Sequence, residues 1–144
     1  MTEQNPVMVT LDAYASAAKA QDVDAFVALY DDDVVVYDAW GHWEHSGIAA
    51  WRAMATEWFG SLGGETVEVE FRDVRTAVGS DVAFGHATVT YVGISAEGER
   101  LRAMTNRLTV NLRKGDGGWK IVHEHTSLPV DMATGVAIFA PPQT

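Results

Sequence analysis

The chain has 144 residues, of which 47% are hydrophobic and 21% are charged; this favours one globular domain, residues 1–144, and excludes a disordered chain. Its formal net charge of -10 disfavours nucleic acid as a partner, because a negative surface repels phosphate backbones. Because the sequence contains no cysteine, disulfides, thiolate metal sites and cysteine nucleophiles are excluded.

The sequence has no pattern typical of membrane insertion or secretion. Residues 1–9 do not combine a basic start with an apolar stretch, and no run approaches the ~18 apolar residues that span a bilayer. We therefore expect no membrane partner and a cytoplasmic location.

The first half of the chain is predicted to be mainly helical. Thr10 is expected to cap a helix that ends near Ala20, and Asp22 to cap a second one with Phe26 and Tyr30 on its apolar side. A strand is predicted over residues 34–39, and Ser46 is expected to open a third helix.

The second half changes to the period of strands. Strands are predicted over residues 66–72, 82–94, 100–113 and 119–128, with glycine-containing turns between the last three. Three helices followed by long antiparallel strands predict an α+β fold, in which helices pack on one face of a curved sheet. The apolar patch in the tail, residues 129–144, is expected to cover an edge or meet a partner.

Asp38 is the leading candidate for chemistry. It shares one face of its predicted strand with Val34 and Val36. Such a carboxylate is either turned to water at the strand end or held in an apolar place. In the second case, burial raises its pKa towards a range useful for removing a proton from carbon.

Tyr14 and Asn106 are two further polar side chains in predicted apolar rows. Tyr14 lies on the inward stripe of the first helix, and Asn106 lies in a strand row with Met104 and Leu108. Buried polar groups need partners, so each side chain either bonds within the protein or donates to a bound ligand.

The histidines of the strands are secondary candidates. His123 and His125 are predicted to share a face of the last strand with Ile121, and His86 to share a face with Phe84. No third ligand in a recognised metal spacing accompanies the pair, so hydrogen bonding to a ligand or within the sheet is favoured over a metal site. Acid or base chemistry at these histidines is the remaining alternative.

An apolar pocket is expected, lined by Trp40, Trp58, Phe84 and Met104. The loop that follows Asp38 is rich in tryptophan and histidine, which suits either the lip of this pocket or an oligomer interface. No glycine-rich phosphate loop, nucleophile elbow or dinucleotide fingerprint is present, so no cofactor and no metal are expected.

Residues 14–41 resemble the start of the bacterial ketosteroid isomerases, which belong to the NTF2-like, or SnoaL-like, domains. The likeness comprises YASAAKAQDVDAFVALY followed by DDDVVVYD, and it continues into the helix that begins Ser46-Gly47-Ile48. The run WKIVHEHTS near the C-terminus is similar to the closing strand of broad SnoaL-like proteins.

The resemblance implies a fold, a site and an activity. The fold is a cone-shaped α+β barrel with a pocket between sheet and helices, commonly assembled as a homodimer. Asp38 falls at the general base and Tyr14 at an oxyanion donor, whereas Asn106 replaces an aspartic acid that is the other donor. The implied function is proton transfer next to the carbonyl of a small hydrophobic molecule, by an isomerase or by a related dehydratase or cyclase.

Two other functions remain open. A non-catalytic ligand-binding or oligomerisation domain is the main alternative, because one fold serves many unrelated roles. Epoxide hydrolysis ranks lower, since it needs an Asp-Arg-Asp arrangement and Arg107 is predicted to face away from Asn106.

Overall fold

The computed structural model describes residues 4–141 and contains three helices in the first half of the chain. These are α1 (Pro6–Ala20), α2 (Val23–Val27) and α3 (Ile48–Gly60). No helix in this part of the chain has the length and apolar character needed to cross a membrane.

One six-stranded sheet carries the helices. Its strands are β1 (Tyr30–Tyr37), β2 (His45–Ser46), β3 (Thr66–Val78), β4 (Val82–Ile94), β5 (Arg100–Gly115) and β6 (Gly118–Ser127). They lie in the order β2-β1-β6-β5-β4-β3. The strands from β3 to β6 pair antiparallel as predicted, whereas β1 pairs parallel with β6 and makes the sheet mixed. The predicted α+β class is confirmed.

Two helix starts differ from the prediction. Helix α1 begins at Pro6 rather than after Thr10, because the Asn5 side chain accepts hydrogen bonds from the N–H groups of Val7 and Met8. Helix α3 begins after Gly47, and Ser46 instead ends strand β2. The predicted cap at Asp22 is confirmed, since its side chain accepts from Ala25 N–H.

An aromatic core joins the helices to the sheet. Phe26 is 0% exposed, and its ring centre lies 5.1 Å from that of Tyr14 and 5.4 Å from that of Tyr30. The ring centres of Trp51 and Phe59 on α3 lie 6.0 and 5.7 Å from it. Large rings packed at these distances restrict the movement of α1, so the core fixes the position of Tyr14.

The first half of β4 presents only small residues to the helices, at Ala83, Gly85 and Ala87, which corrects one prediction. Ala83 and Ala87 are buried, whereas Phe84 is 55% exposed and His86 is also exposed. Helix α1 packs so closely that a Cβ on Gly85 would lie 2.7 Å from Val7 Cγ1. The larger side chains therefore occupy the opposite face, away from the helices.

This close approach predicts that Gly85→Ala destabilises the fold by about 1–3 kcal/mol, the usual range for overpacking. The added methyl group would also lie 3.1 Å from Arg75 O. This oxygen belongs to the backbone and cannot move away as a flexible side chain could. Denaturant unfolding measures the change. Gly115→Ala is a matched control in a strand, because nothing lies within 4 Å of its Cβ position. Equal unfolding midpoints for the two variants would contradict the packing of α1 on β4.

A β-bulge reverses the phase of β6. Asn111 pairs with His123 but Leu112 pairs with Ile121, so the chain gains one residue on β6 between these pairs. Ile121 and Glu124 both face the helices as a result, although they are three residues apart. His123 and His125 therefore face outward with Asn111 and Thr109, and the predicted shared face of Ile121 and His123 is wrong.

The C-terminal segment covers part of a sheet edge, one of the two predicted roles. Beyond the end of β6, the N–H of Thr105 on β5 donates to Phe139 O. The Phe139 ring stacks on Trp40 with centres 5.9 Å apart. The segment thereby holds the loop that follows β1.

Candidate functional site

A cavity of about 420 Å³ lies between α1, α3 and the sheet. Its polar side chains come mainly from the sheet and from Tyr14, while its apolar wall comes mainly from α3. The residues that line it are Tyr14, Asp38, Trp40, His42, His45, Trp51, Met54, Glu57, Trp58, Ser61, Leu62, Val67, Tyr91, Gly93, Arg102, Met104, Glu124 and Thr126. This volume suits a small organic molecule.

Five of the residues singled out in the sequence line this cavity. Asp38 and Tyr14 do so, as do three of the four expected apolar wall residues, Trp40, Trp58 and Met104. Phe84, the fourth, lies on the outer face of the sheet and does not reach the cavity.

Asp38 presents one carboxylate oxygen for chemistry. Oδ1 accepts from the Thr126 hydroxyl at 3.3 Å and from Trp40 N–H at 3.4 Å. Oδ2 lies 3.8 Å from His45 Nε2, beyond hydrogen-bonding distance. Burial raises the pKa of Asp38 above its ordinary value, against the opposing effects of Trp40 N–H, His45 and Thr126. Its proton affinity is thus increased, as suits a base.

Glu124 is a second carboxyl group of the cavity and was not predicted. It is 3% exposed, and its Oε1 accepts from the Tyr30 hydroxyl at 2.7 Å. Burial raises the pKa of Glu124 to about 7; the Tyr30 bond opposes the rise and the charge of Asp38 adds to it. A substantial fraction of Glu124 is therefore protonated at neutral pH.

Tyr14 shares its hydroxyl with another tyrosine. The hydroxyl oxygens of Tyr14 and Tyr91 lie 3.0 Å apart, and either can donate. Burial, reinforced by Tyr91 and by Glu124, raises the pKa of Tyr14 well above its ordinary value. Both hydroxyls hence stay protonated, and one proton of the pair is free to bind a ligand oxygen.

Asn106 does not line the cavity. It is 2% exposed on the same face of β5 as Met104, and neither amide atom has a hydrogen-bond partner within residues 4–141. Asn106 is thus not among the residues that line the cavity with Tyr14 and Asp38, and its role as the second oxyanion donor stays a prediction.

The secondary histidine candidates also lie away from the cavity. His86 is exposed on the outer face of β4. His123 Nδ1 bonds Val35 O at 2.7 Å, and the rings of His123 and His125 pack edge-on against Tyr37. Within the described residues, no group of three or more His, Cys, Asp or Glu is arranged to hold a metal ion. The homodimer stays a prediction, for which this outer face offers exposed apolar side chains such as Phe84 and Tyr37.

His45 is a further cavity residue that the sequence did not single out for catalysis. It lies on β2 opposite Val36, on the face that carries Asp38. Its ring centre lies 5.2 Å from that of Trp51 on α3 and 4.8 Å from that of His42. A two-residue strand has almost no sequence signature, which is why its pairing with β1 was not predicted.

A curved sheet with helices packed over a cavity that carries polar side chains is the architecture of an NTF2-like protein. The match to the family model of the SnoaL-like domain spans residues 7–131, and the chain belongs to this family. A comparison with curated proteins gives no match.

Solved structures share the fold. An NTF2-like protein of unknown function from Pseudomonas putida KT2440 is 26% identical, with 95% of this chain and 94% of that chain covered and a TM-score of 0.81. Two proteins of Novosphingobium aromaticivorans are also similar. A proposed scytalone dehydratase is 16% identical, with coverages of 84% and 80% and a TM-score of 0.71. A proposed aromatic ring hydroxylase is 23% identical, with 85% of each chain covered and a TM-score of 0.65.

Proposed function

We propose that the protein is an enzyme that moves a proton at the carbon next to the carbonyl group of a small apolar molecule. The observation that carries this proposal is the pair of carboxyl groups, Asp38, which is largely buried, and Glu124, which is fully buried, in one largely apolar cavity. Their pKa values are raised by burial, and the value for Glu124 is about 7. Carboxyl groups whose pKa values are raised by burial in one site are typical of acid–base catalysis.

Asp38 is the base. Its Oδ2 takes the proton from the carbon next to the carbonyl, the C–H electron pair forms the new C=C bond, and the carbonyl oxygen becomes an enolate oxygen. Thr126 and Trp40 hold Oδ1 and so orient the free oxygen. The apolar wall keeps water from competing for the carboxylate.

Tyr14 and the protonated form of Glu124 stabilise the enolate oxygen. Both are buried and both are neutral donors when the site is ready to react. Preorganised donors at the place where charge develops contribute strongly to catalysis. Glu124 thereby takes the part that the family resemblance assigned to Asn106.

Delivery of a solvent-derived proton to the same carbon gives exchange, and return of a proton to a conjugated carbon gives isomerisation. Loss of a β-hydroxyl group from the enolate, as water that takes up the proton held by Asp38, would instead give dehydration. The two Novosphingobium proteins bear the names of enzymes that act on small molecules, which supports a small-molecule site in this fold. At identities of 16% and 23%, the likeness to this chain is one of fold only.

A simple probe reaction tests the proposal. The protein is incubated with 3-cyclohexenone in deuterium oxide, and NMR follows both isomerisation to 2-cyclohexenone and deuterium uptake. We expect both to exceed the rates in buffer and in buffer containing heat-denatured protein. Saturable binding without isomerisation or uptake, for this ketone and for a panel of saturated cyclic ketones, would favour the non-catalytic alternative.

A further inference from the structure

Asp38 has a close but unbonded histidine neighbour whose place in the fold suits proton transfer. His45 is 8% exposed, and its Nε2 is buried without a hydrogen-bond partner among residues 4–141. This nitrogen lies 3.8 Å from Asp38 Oδ2. Most buried polar atoms in native proteins are paired, so this nitrogen is suited to a partner that it holds only during part of a cycle.

His45 is also adjacent to a residue that reaches solvent. The His42 ring lies 4.8 Å from the His45 ring, and His42 is exposed. Both imidazoles favour the ionised form of Asp38, with the effect of His45 the larger. Asp38, His45 and His42 therefore form a continuous series from the cavity interior to water.

Imidazole is suited to relay a proton, because one ring nitrogen can accept a proton while the other releases one. Trp51 packs against the His45 ring and limits its reorientation. A shift of under 1 Å, or one bridging water, would bring Nε2 into bonding distance of Oδ2.

We propose that His45, followed by His42, is the route by which Asp38 exchanges its proton with solvent. After Asp38 has taken the substrate proton, the neutral His45 ring accepts it at Nε2. Asp38 is again a carboxylate, and His45 is an imidazolium that passes a proton through His42 to water. The reverse sequence delivers a solvent proton to Asp38, so no proton is gained or lost overall.

This inference rests on the proposed role of Asp38 and predicts the origin of the proton in the product. In deuterium oxide, a working relay gives product that contains solvent deuterium, because Asp38 exchanges before it returns the proton. Without the relay, Asp38 returns the proton that it removed. The measured quantity is the fraction of product molecules that carry deuterium. A structural defect that only lowers the amount of product does not change this fraction.

The experiment compares wild-type protein with His45→Phe, using 3-cyclohexenone in deuterium oxide. We expect the deuterium content of the 2-cyclohexenone to fall at least about threefold in His45→Phe. His45→Gln, which can hydrogen-bond but cannot relay, is expected to give the same fall and serves if the phenylalanine variant does not fold. His86→Phe, an exposed histidine on the outer face, is the matched control and should leave the deuterium content unchanged.

A second measurement does not depend on activity. Carbon-13 NMR of the Asp38 carboxyl group should show a higher pKa in His45→Phe than in wild type, because an imidazole that favours the ionised form of Asp38 is removed. An unchanged pKa of Asp38, or an unchanged deuterium content in an active variant, would overturn the relay. If wild type shows no isomerisation or exchange while the pKa of Asp38 does rise in the variant, then the proposed function fails and the contact between His45 and Asp38 stands.

Discussion

Replacement of Asp38 by asparagine is expected to lower the rate of deuterium uptake about a hundredfold to ten-thousandfold, the usual contribution of a positioned acid–base group. Asparagine keeps the size of the side chain, and its oxygen can still accept from Thr126 and from Trp40 N–H. The variant therefore retains the geometry of the cavity and loses only the base. NMR detection of uptake on 3-cyclohexenone gives the rate.

Binding and stability separate this effect from a loss of fold. Asp38→Asn should bind the ketone about as well as wild type and should unfold at an equal or higher denaturant concentration, since a buried carboxyl group with a raised pKa is removed. Asp12→Asn, an exposed position on α1, is the control. If the ketone took up deuterium as fast with Asp38→Asn as with Asp12→Asn, Asp38 would not be the base.

Replacement of Glu124 by glutamine is expected to change how stability depends on pH. The pKa of Glu124 is about 7 in the folded protein, against an ordinary value of 4.5. Below both values the group is protonated in either state and contributes nothing. Between them the folded state holds more protons than the unfolded state, so the free energy of unfolding falls as pH rises. Above about pH 7 the full penalty remains, amounting to about 3 kcal/mol.

Glutamine has no such titration. Its carbonyl oxygen can still accept from the Tyr30 hydroxyl, so the variant keeps the principal contact of Glu124. We expect the stability of Glu124→Gln relative to wild type to increase by about 2–3 kcal/mol between about pH 5 and about pH 8. Urea unfolding at several pH values measures this difference.

Glu97→Gln, in an exposed turn, is the matched control and should follow wild type at every pH. A constant difference between Glu124→Gln and wild type across this range would mean that the Glu124 carboxyl group titrates equally in the folded and unfolded states. Glu124 would then not be the neutral acid that we propose for the cavity.

The sequence located two polar side chains of the cavity, Asp38 and Tyr14, for clear physical reasons. Asp38 follows a strand whose valines set the phase, and Tyr14 lies on the inward stripe of a helix with strong periodicity. The long strands from β4 to β6 were also predicted closely, because glycine-containing turns separate them.

The missed residues depend on features without a local signal. Glu124 faces the cavity because a β-bulge shifts the phase of β6 by one residue, and simple alternation favoured the flanking histidines instead. On β4, the close packing of α1 on Gly85 leaves small residues inside and Phe84 outside. Contacts between segments that are distant in the sequence decide which side chains face the helices. The periodicity of a single segment carries no information about those contacts.

The most direct test of the account is a carbon-13 NMR titration of the carboxyl groups of Asp38 and Glu124 in the wild-type protein. The account predicts that Glu124 titrates near pH 7 and that Asp38 titrates above its ordinary value of 3.8. Single-residue substitutions assign the two signals. Titration of both groups at about pH 4, the ordinary range for carboxyl groups, would contradict the claim that the cavity holds a base and a neutral acid together.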